Sequence, residues 1–147
     1  MTQDLIRFCL GDAIASGEYR CVYNWSFRKD VVCKITWNQE ANWAEFNTWS
    51  AVKDTHYAKW FAPVIEISAC GHFMLMKKAR PVNLKKDKLP RRIPNMFTDV
   101  KLENFGFIGD QFVCVDYQFL DRSLDLAMNS GMVLTSSRMK ELRGKKG

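Results

Sequence analysis

The chain has 147 residues, 47% hydrophobic and 13% aromatic, enough apolar content for one buried core and too much for a disordered chain. Its formal net charge of +6 and pI near 9.1 ask for an anionic partner. No apolar run approaches the roughly 18 residues that a membrane-spanning helix needs, and the five cysteines, odd in number and mostly within apolar runs, are read as reduced core residues rather than a disulfide framework.

Taken in chain order, Met1-Thr2-Gln3-Asp4 lacks the basic start of a secretory leader, so a cytoplasmic protein is expected. Asp4 to Leu10 reads as a short helix. Tyr19 to Trp25 and Val31 to Trp37 read as strands, because aromatic and β-branched residues flank the polar turn Ser26-Phe27-Arg28-Lys29-Asp30. Asn38 is placed to cap a helix in which Trp43, Phe46 and Trp49 recur at three- and four-residue steps as a bulky apolar face. Glu45 lies off that stripe. Val64 to Ser68 and Phe73 to Met76 form a second strand pair across Ala69-Cys70-Gly71-His72, and Leu120 to Met128 and Ser136 to Leu142 are closing helices. The expected fold class is α+β, with an antiparallel sheet from about Leu10 to Met76 carrying one helix, then a small mixed lobe.

Chemistry concentrates in Asp99-Val100-Lys101-Leu102-Glu103-Asn104 and in the strand-like run Val113-Cys114-Val115-Asp116. A carboxylate, a lysine, an amide and a second carboxylate in this order suit phosphotransfer, which needs a group to orient the acceptor and hard oxygen ligands for magnesium. The two segments resemble the catalytic loop and metal-binding Asp of the protein-kinase-like fold. Upstream, Val31-Val32-Cys33-Lys34 is similar to that family's strand lysine motif. Ala15-Ser16-Gly17-Glu18-Tyr19-Arg20-Cys21-Val22-Tyr23 resembles its glycine-rich loop with only the middle glycine kept.

The resemblance implies an ATP- and Mg2+-dependent enzyme. Lys34, paired with Glu45 or else Glu40, grips the α- and β-phosphates. Gly17 and Val22 cover the nucleotide, Met76 backs the adenine, and the main chain of a hinge at Lys77, Lys78 and Ala79, extending to Pro81, reads the base. Asp99 orients the acceptor hydroxyl, Lys101 neutralises charge on the moving phosphoryl group, and Asn104 and Asp116 hold magnesium. The Asp-x-Lys-x-x-Asn form implies a Ser/Thr protein substrate. One kinase-like domain results, with an N-lobe over 1–80 and a reduced C-lobe over 82–147. Phe97-Thr98 replaces the usual His-Arg, and the glycine after Asp116-Tyr117 is lost. Fewer than twenty residues separate the hinge from Asp99, and 31 follow Asp116. Such economy of length suits a phage or viral genome, and a homodimer or partner would supply the missing support.

Each residue also has an ordinary role open to it. Lys34 can be a solvent-facing strand lysine, Gly17 a hairpin glycine with positive φ, Asp116 a helix cap, Met76 core, and Glu40 and Glu45 solvated helix acids. The basic groups Lys85, Lys86, Lys88, Arg91, Arg92 and Arg138, Lys140, Arg143, Lys145, Lys146 suit an acidic protein surface, or simply face water. Nucleic acid is less favoured, because the five tryptophans all lie in the first half and do not interleave with the basic runs. No zinc-ligand spacing occurs. Two functional classes therefore stand side by side: a phosphotransferase, and a catalytically degenerate kinase-like module that inhibits or recruits a partner.

Overall fold

Runs of β-branched and aromatic residues in the first half form strands, and a computed structural model describes residues 2–118, 120 and 131–139. Helix α1 (Thr2–Cys9) leads into β1 (Leu10–Ser16), β2 (Arg20–Trp25) and β3 (Val31–Thr36). Helix α2 (Gln39–Val52) follows, then β4 (Val64–Ile67) and β5 (Phe73–Lys77). These strands form one antiparallel sheet in the order β1-β2-β3-β5-β4, with α2 inserted between β3 and β4 in the chain. The α+β class and the antiparallel sheet carrying a helix are as expected, with strand ends shifted by a residue or two.

Register decides which residues share a face. Val22 lies opposite Lys34, Lys34 opposite Met74, and Val32 opposite Met76. Directly opposed residues point to the same side of a sheet, so Arg20, opposite Thr36, joins the Lys34 face.

Asn38 caps α2 as its type predicts, its side-chain oxygen accepting from the Glu40 N–H at 3.1 Å. The helix does not, however, turn its aromatic stripe fully inward. Trp43, Phe46 and Trp49 are half-buried, while Ala41, Asn42, Glu45 and Val52 are the buried positions. Two cations, Arg20 and Lys34, are buried beside the helix, and buried charges must be met by polar partners.

The second half adds β6 (Arg80–Pro81), β7 (Arg92–Pro94), β8 (Phe105–Ile108), β9 (Gln111–Cys114), β10 (Met132–Leu134) and the short helix α3 (Thr135–Arg138). Strands β6, β8 and β9 form one small sheet and β7 and β10 another. Among the described residues one apolar core joins the halves, with Val32, Met74 and Met76 from the large sheet packed in one cluster with Phe61, Phe97, Phe105, Phe112 and Tyr117. Phe105 stacks on Phe112 at 4.8 Å, and Phe61 meets Tyr117 edge-on at 4.9 Å. The Ala62 N–H donates to the Cys114 carbonyl at 2.9 Å, tying the entry to β4 to the end of β9.

Among the expected closing helices, Leu120 to Met128 falls almost wholly outside the described residues, and Ser136 to Leu142 is represented by α3, the remainder lying outside them. Among the described residues no helix is long and apolar enough to cross a membrane. The cysteines are free: Cys33 and Cys114 are buried, Cys9 and Cys21 half-buried. Cys70 departs from the core expectation, since it is exposed in the turn between β4 and β5.

Candidate functional site

Four charged side chains from four segments meet where α2 crosses the large sheet. Lys34, on β3 and only 3% exposed, places its ammonium nitrogen 3.0 Å from both oxygens of Glu45 and donates to the Val115 carbonyl. Glu45 is fully buried, and its second oxygen also accepts the Tyr117 N–H at 3.0 Å. Arg20, the first residue of β2, donates to Glu45 Oε1 and, through its other terminal nitrogen, to Asp116 Oδ1 at 2.8 Å. Asn42, one helical turn before Glu45, donates to the Lys34 carbonyl at 3.2 Å and the Gly71 carbonyl at 3.0 Å. Gly71 holds a left-handed φ of +77°, and a Cβ there would fall 2.4 Å from Trp43 Nε1, so glycine is required for the β4–β5 turn to approach α2.

Two cations and two anions balance, and among the described residues no buried side-chain nitrogen or oxygen lacks a hydrogen-bond partner. Burial works against the charge of Arg20, but Glu45 and Asp116 together overcome it and raise its pKa above the usual arginine value. Burial pushes the Lys34 ammonium down; Glu45 opposes the shift and the nearby Arg20 charge adds to it. The flanking Cys114 thiol and Tyr117 phenol are pushed up by burial, so neither is an available nucleophile or base.

The cluster is sealed at one end and open at the other. Exposure rises from 0% at Glu45 through 9% at Arg20 to 36% at Asp116. Asp116 lines a small pocket together with Thr98, Asp99, Phe97, Phe105 and Tyr117, which brings the acidic loop and the ion cluster to one place. Asp99 and Lys101 stand at 47% and 46% exposure with 3.7 Å between their charged atoms. Asn104 is buried at the end of the turn Leu102–Asn104. Its amide nitrogen donates to the Asp99 carbonyl at 2.9 Å and to Asp99 Oδ2 at 3.3 Å, and its own carbonyl accepts the Val115 N–H at 2.8 Å. Asn104 thus links the Asp99 loop to the segment carrying Asp116.

The remaining expected site residues divide. Val22 shares the Lys34 face and packs against the core, and Met76 is 1% exposed within that core. The Lys77 N–H donates to the Pro63 carbonyl and the Lys78 N–H to the Asp30 carbonyl, both within 2.9 Å, so neither hinge donor faces a base in this conformation; Ala79 follows them, half-buried. Gly17 sits in the exposed β1–β2 turn without a positive φ, and a Cβ there would only touch the Arg20 carbonyl at 3.5 Å, so the hairpin does not require glycine there. Glu40 is exposed in the first turn of α2, which removes it as the partner of Lys34.

Burial of Lys34 removes the alternative of a solvent-facing strand lysine, and Asp116 is an ion-pair partner of Arg20. Arg20 itself was not singled out among the candidates. Its signal was present: two residues before Val22 on a strand paired with β3, strand alternation puts it beside Lys34, and an arginine on an inward face needs an acid.

Asp116 and Asn104 supply oxygen donors of the type magnesium takes, and magnesium commonly uses one or two protein carboxylates with substrate phosphates. Among the described residues no group of three or more His, Cys, Asp or Glu is placed to hold a metal unaided. Asp116 lines the pocket but is held by Arg20, and Asn104 is not among the pocket-lining residues. No known protein family and no curated protein matches this chain.

Proposed function

We propose that this chain is an ATP- and Mg2+-dependent phosphotransferase of the protein-kinase-like class, built on a reduced form of that fold and acting on Ser or Thr hydroxyls of a protein. The supporting observation is the buried Lys34–Glu45 pair, which joins β3 to α2 beside a pocket lined by both Asp99 and Asp116. The strand order, with α2 inserted between β3 and β4, agrees with it.

In this function Glu45 fixes the Lys34 ammonium for the α- and β-phosphates. Asn104 and Asp116 hold magnesium, which supplies the positive charge that the phosphoryl group needs. Asp99, exposed at the pocket and held by Asn104 and Lys101, orients an incoming hydroxyl, while Lys101 beside it neutralises charge on the moving phosphoryl group. Rate enhancement comes mainly from positioning and electrostatics.

Calorimetric titration with Mg-ATP, alongside a phosphorylation assay on the protein itself and on a lysate, tests the proposal. Asp116→Asn is expected to lose nucleotide binding and transfer together, and Asp99→Asn to keep binding and lose transfer. Wild-type protein that neither binds Mg-ATP nor transfers phosphate rejects the enzyme. Lys34→Met is a poorer probe, because Lys34 is buried and its loss also disturbs the fold.

One observation favours the other class, a degenerate kinase-like module that inhibits or recruits a protein. The Arg20–Asp116 pair satisfies the cluster with the chain's own charges. In that case the exposed Lys85, Lys86, Lys88, Arg91 and Arg92 form the surface for an acidic partner, and charge reversal there weakens a complex whose affinity falls with salt.

A further inference from the structure

We propose that Arg20 is a built-in cation standing in for the metal, so that a divalent ion binds at Asp116 only by displacing the guanidinium; the choice of metal rests on the phosphotransferase function proposed above. Three observations carry this. Arg20 reaches Asp116 and Glu45 with different terminal nitrogens, so it spans the cluster as a bridge rather than serving either acid alone. The bridge is asymmetric in exposure, with Glu45 at 0% and Asp116 at 36%, so an ion arriving from solvent meets the Asp116 end first. Finally, Glu45 does not depend on Arg20, since it keeps both contacts with Lys34 and the Tyr117 N–H if Arg20 withdraws.

The geometry also says how the exchange proceeds. Arg20 begins β2 directly after the exposed Gly17-Glu18-Tyr19 turn, whose main chain is held to it by the Gly17 N–H donating to the Arg20 carbonyl at 2.8 Å. Release of Asp116 requires only the contact of one terminal nitrogen to break, because the other stays on Glu45 Oε1 and Asn42 Oδ1 and the Lys34–Glu45 pair is untouched. Metal binding and Arg20 binding at Asp116 exclude each other, because Arg20 occupies Oδ1 and a dication on the remaining oxygen of the same carboxylate meets the guanidinium charge at close range. Affinity for the ion is therefore reduced by the fraction of molecules in which Arg20 holds Asp116.

The test uses Mn2+ as the probe, with free ion followed by electron paramagnetic resonance, on wild type, Arg20→Met and the double variant Arg20→Met/Asp116→Asn. Circular dichroism verifies that each is folded. Arg20→Met keeps the length and apolar stem while removing the charge. It is expected to bind Mn2+ at least tenfold more tightly than wild type, and the double variant to lose that gain. Equal or weaker binding by Arg20→Met, or a gain that survives Asp116→Asn, overturns the proposal. If Arg20→Met does not fold, Arg20→Lys serves instead: one ammonium lacks the fork that spans two carboxylates, and a smaller gain that still requires Asp116 is expected, its absence again overturning the proposal. Calorimetry with Mg-ATP separates this inference from the function it rests on. A Mn2+ gain without nucleotide binding in any variant keeps the Arg20 exchange and rejects phosphotransfer. Equal Mg-ATP affinity in wild type and Arg20→Met keeps nucleotide binding and rejects the exchange.

Discussion

The ion cluster of Arg20, Lys34, Glu45 and Asp116 and the loop of Asp99, Lys101 and Asn104 carry the same kinds of side chain and meet at the pocket that Asp116 and Asp99 line, yet they are held in opposite ways. In the cluster Glu45, Arg20 and Lys34 are removed from water and each charge is answered by another, whereas Asp99 and Lys101 stay about half exposed and lie 3.7 Å apart. Burial turns a charge into a structural obligation, because a buried ion left without its partner costs far more than the pair contributes when intact. An exposed charge has no such obligation, and is free to serve a ligand.

The comparison is broken most sharply at Glu45. Glu45→Gln leaves two buried cations facing a neutral amide, and a loss of about 3–5 kcal/mol is expected in urea unfolding. A change below about 1 kcal/mol would show that water enters the cluster and solvates its charges. At the open end, Asp116→Asn removes one of two acids on Arg20 from a partly exposed position, and about 1 kcal/mol is expected in the same measurement. The ratio between these two variants measures how steeply the cluster is sealed.

In the loop, Asp99→Asn makes the same kind of chemical change at an exposed carboxylate, and stability is expected to move by no more than about 0.5 kcal/mol. A large loss would mean that the Asn104 bonds to Asp99 brace the fold, and that this loop too is structural. The smallest effect concerns an ion pair outside both regions. Hydrogen bonds from the Arg80 guanidinium, and next from the Asn83 N–H, hold the Asp87 carboxyl down at about 2, below the ordinary value of 3.8. A lowered folded-state pKa contributes stability that is fully present above the ordinary value and lost as pH falls through about 2. Asp87→Asn should therefore unfold more easily than wild type at neutral pH, with the difference fading between about pH 4 and pH 2; a difference that persists at pH 2 would place the effect in packing rather than charge.

Much of the architecture was legible locally. The strands around Val22 and Lys34 follow from β-branched and aromatic residues on either side of a polar turn, and α2 follows from Asn38 at its cap, because these preferences act over a few residues. The inner face of α2 was legible only in part. Three tryptophan and phenylalanine residues at helical spacing announce a buried stripe, and only the neighbouring sheet, with Arg20 and Lys34 on it, explains why Asn42 and Glu45 take the deepest positions instead.

The site shows the same division. The order of Lys34, Glu45, Asp99, Asn104 and Asp116 was visible in the sequence by itself, since residue type and spacing are properties of the chain. So were the α+β class and the position of the turns. What only the tertiary structure decided is the state of those groups. Arg20 and Asp116 are 96 residues apart, and nothing in either neighbourhood declares that one neutralises the other. That contact depends on β-sheet register and on the placement of the segment after β9, both set by the packing of one common core. Electrostatic partnership is decided over a few ångströms of space, and the chain brings distant charges that close only once it has folded.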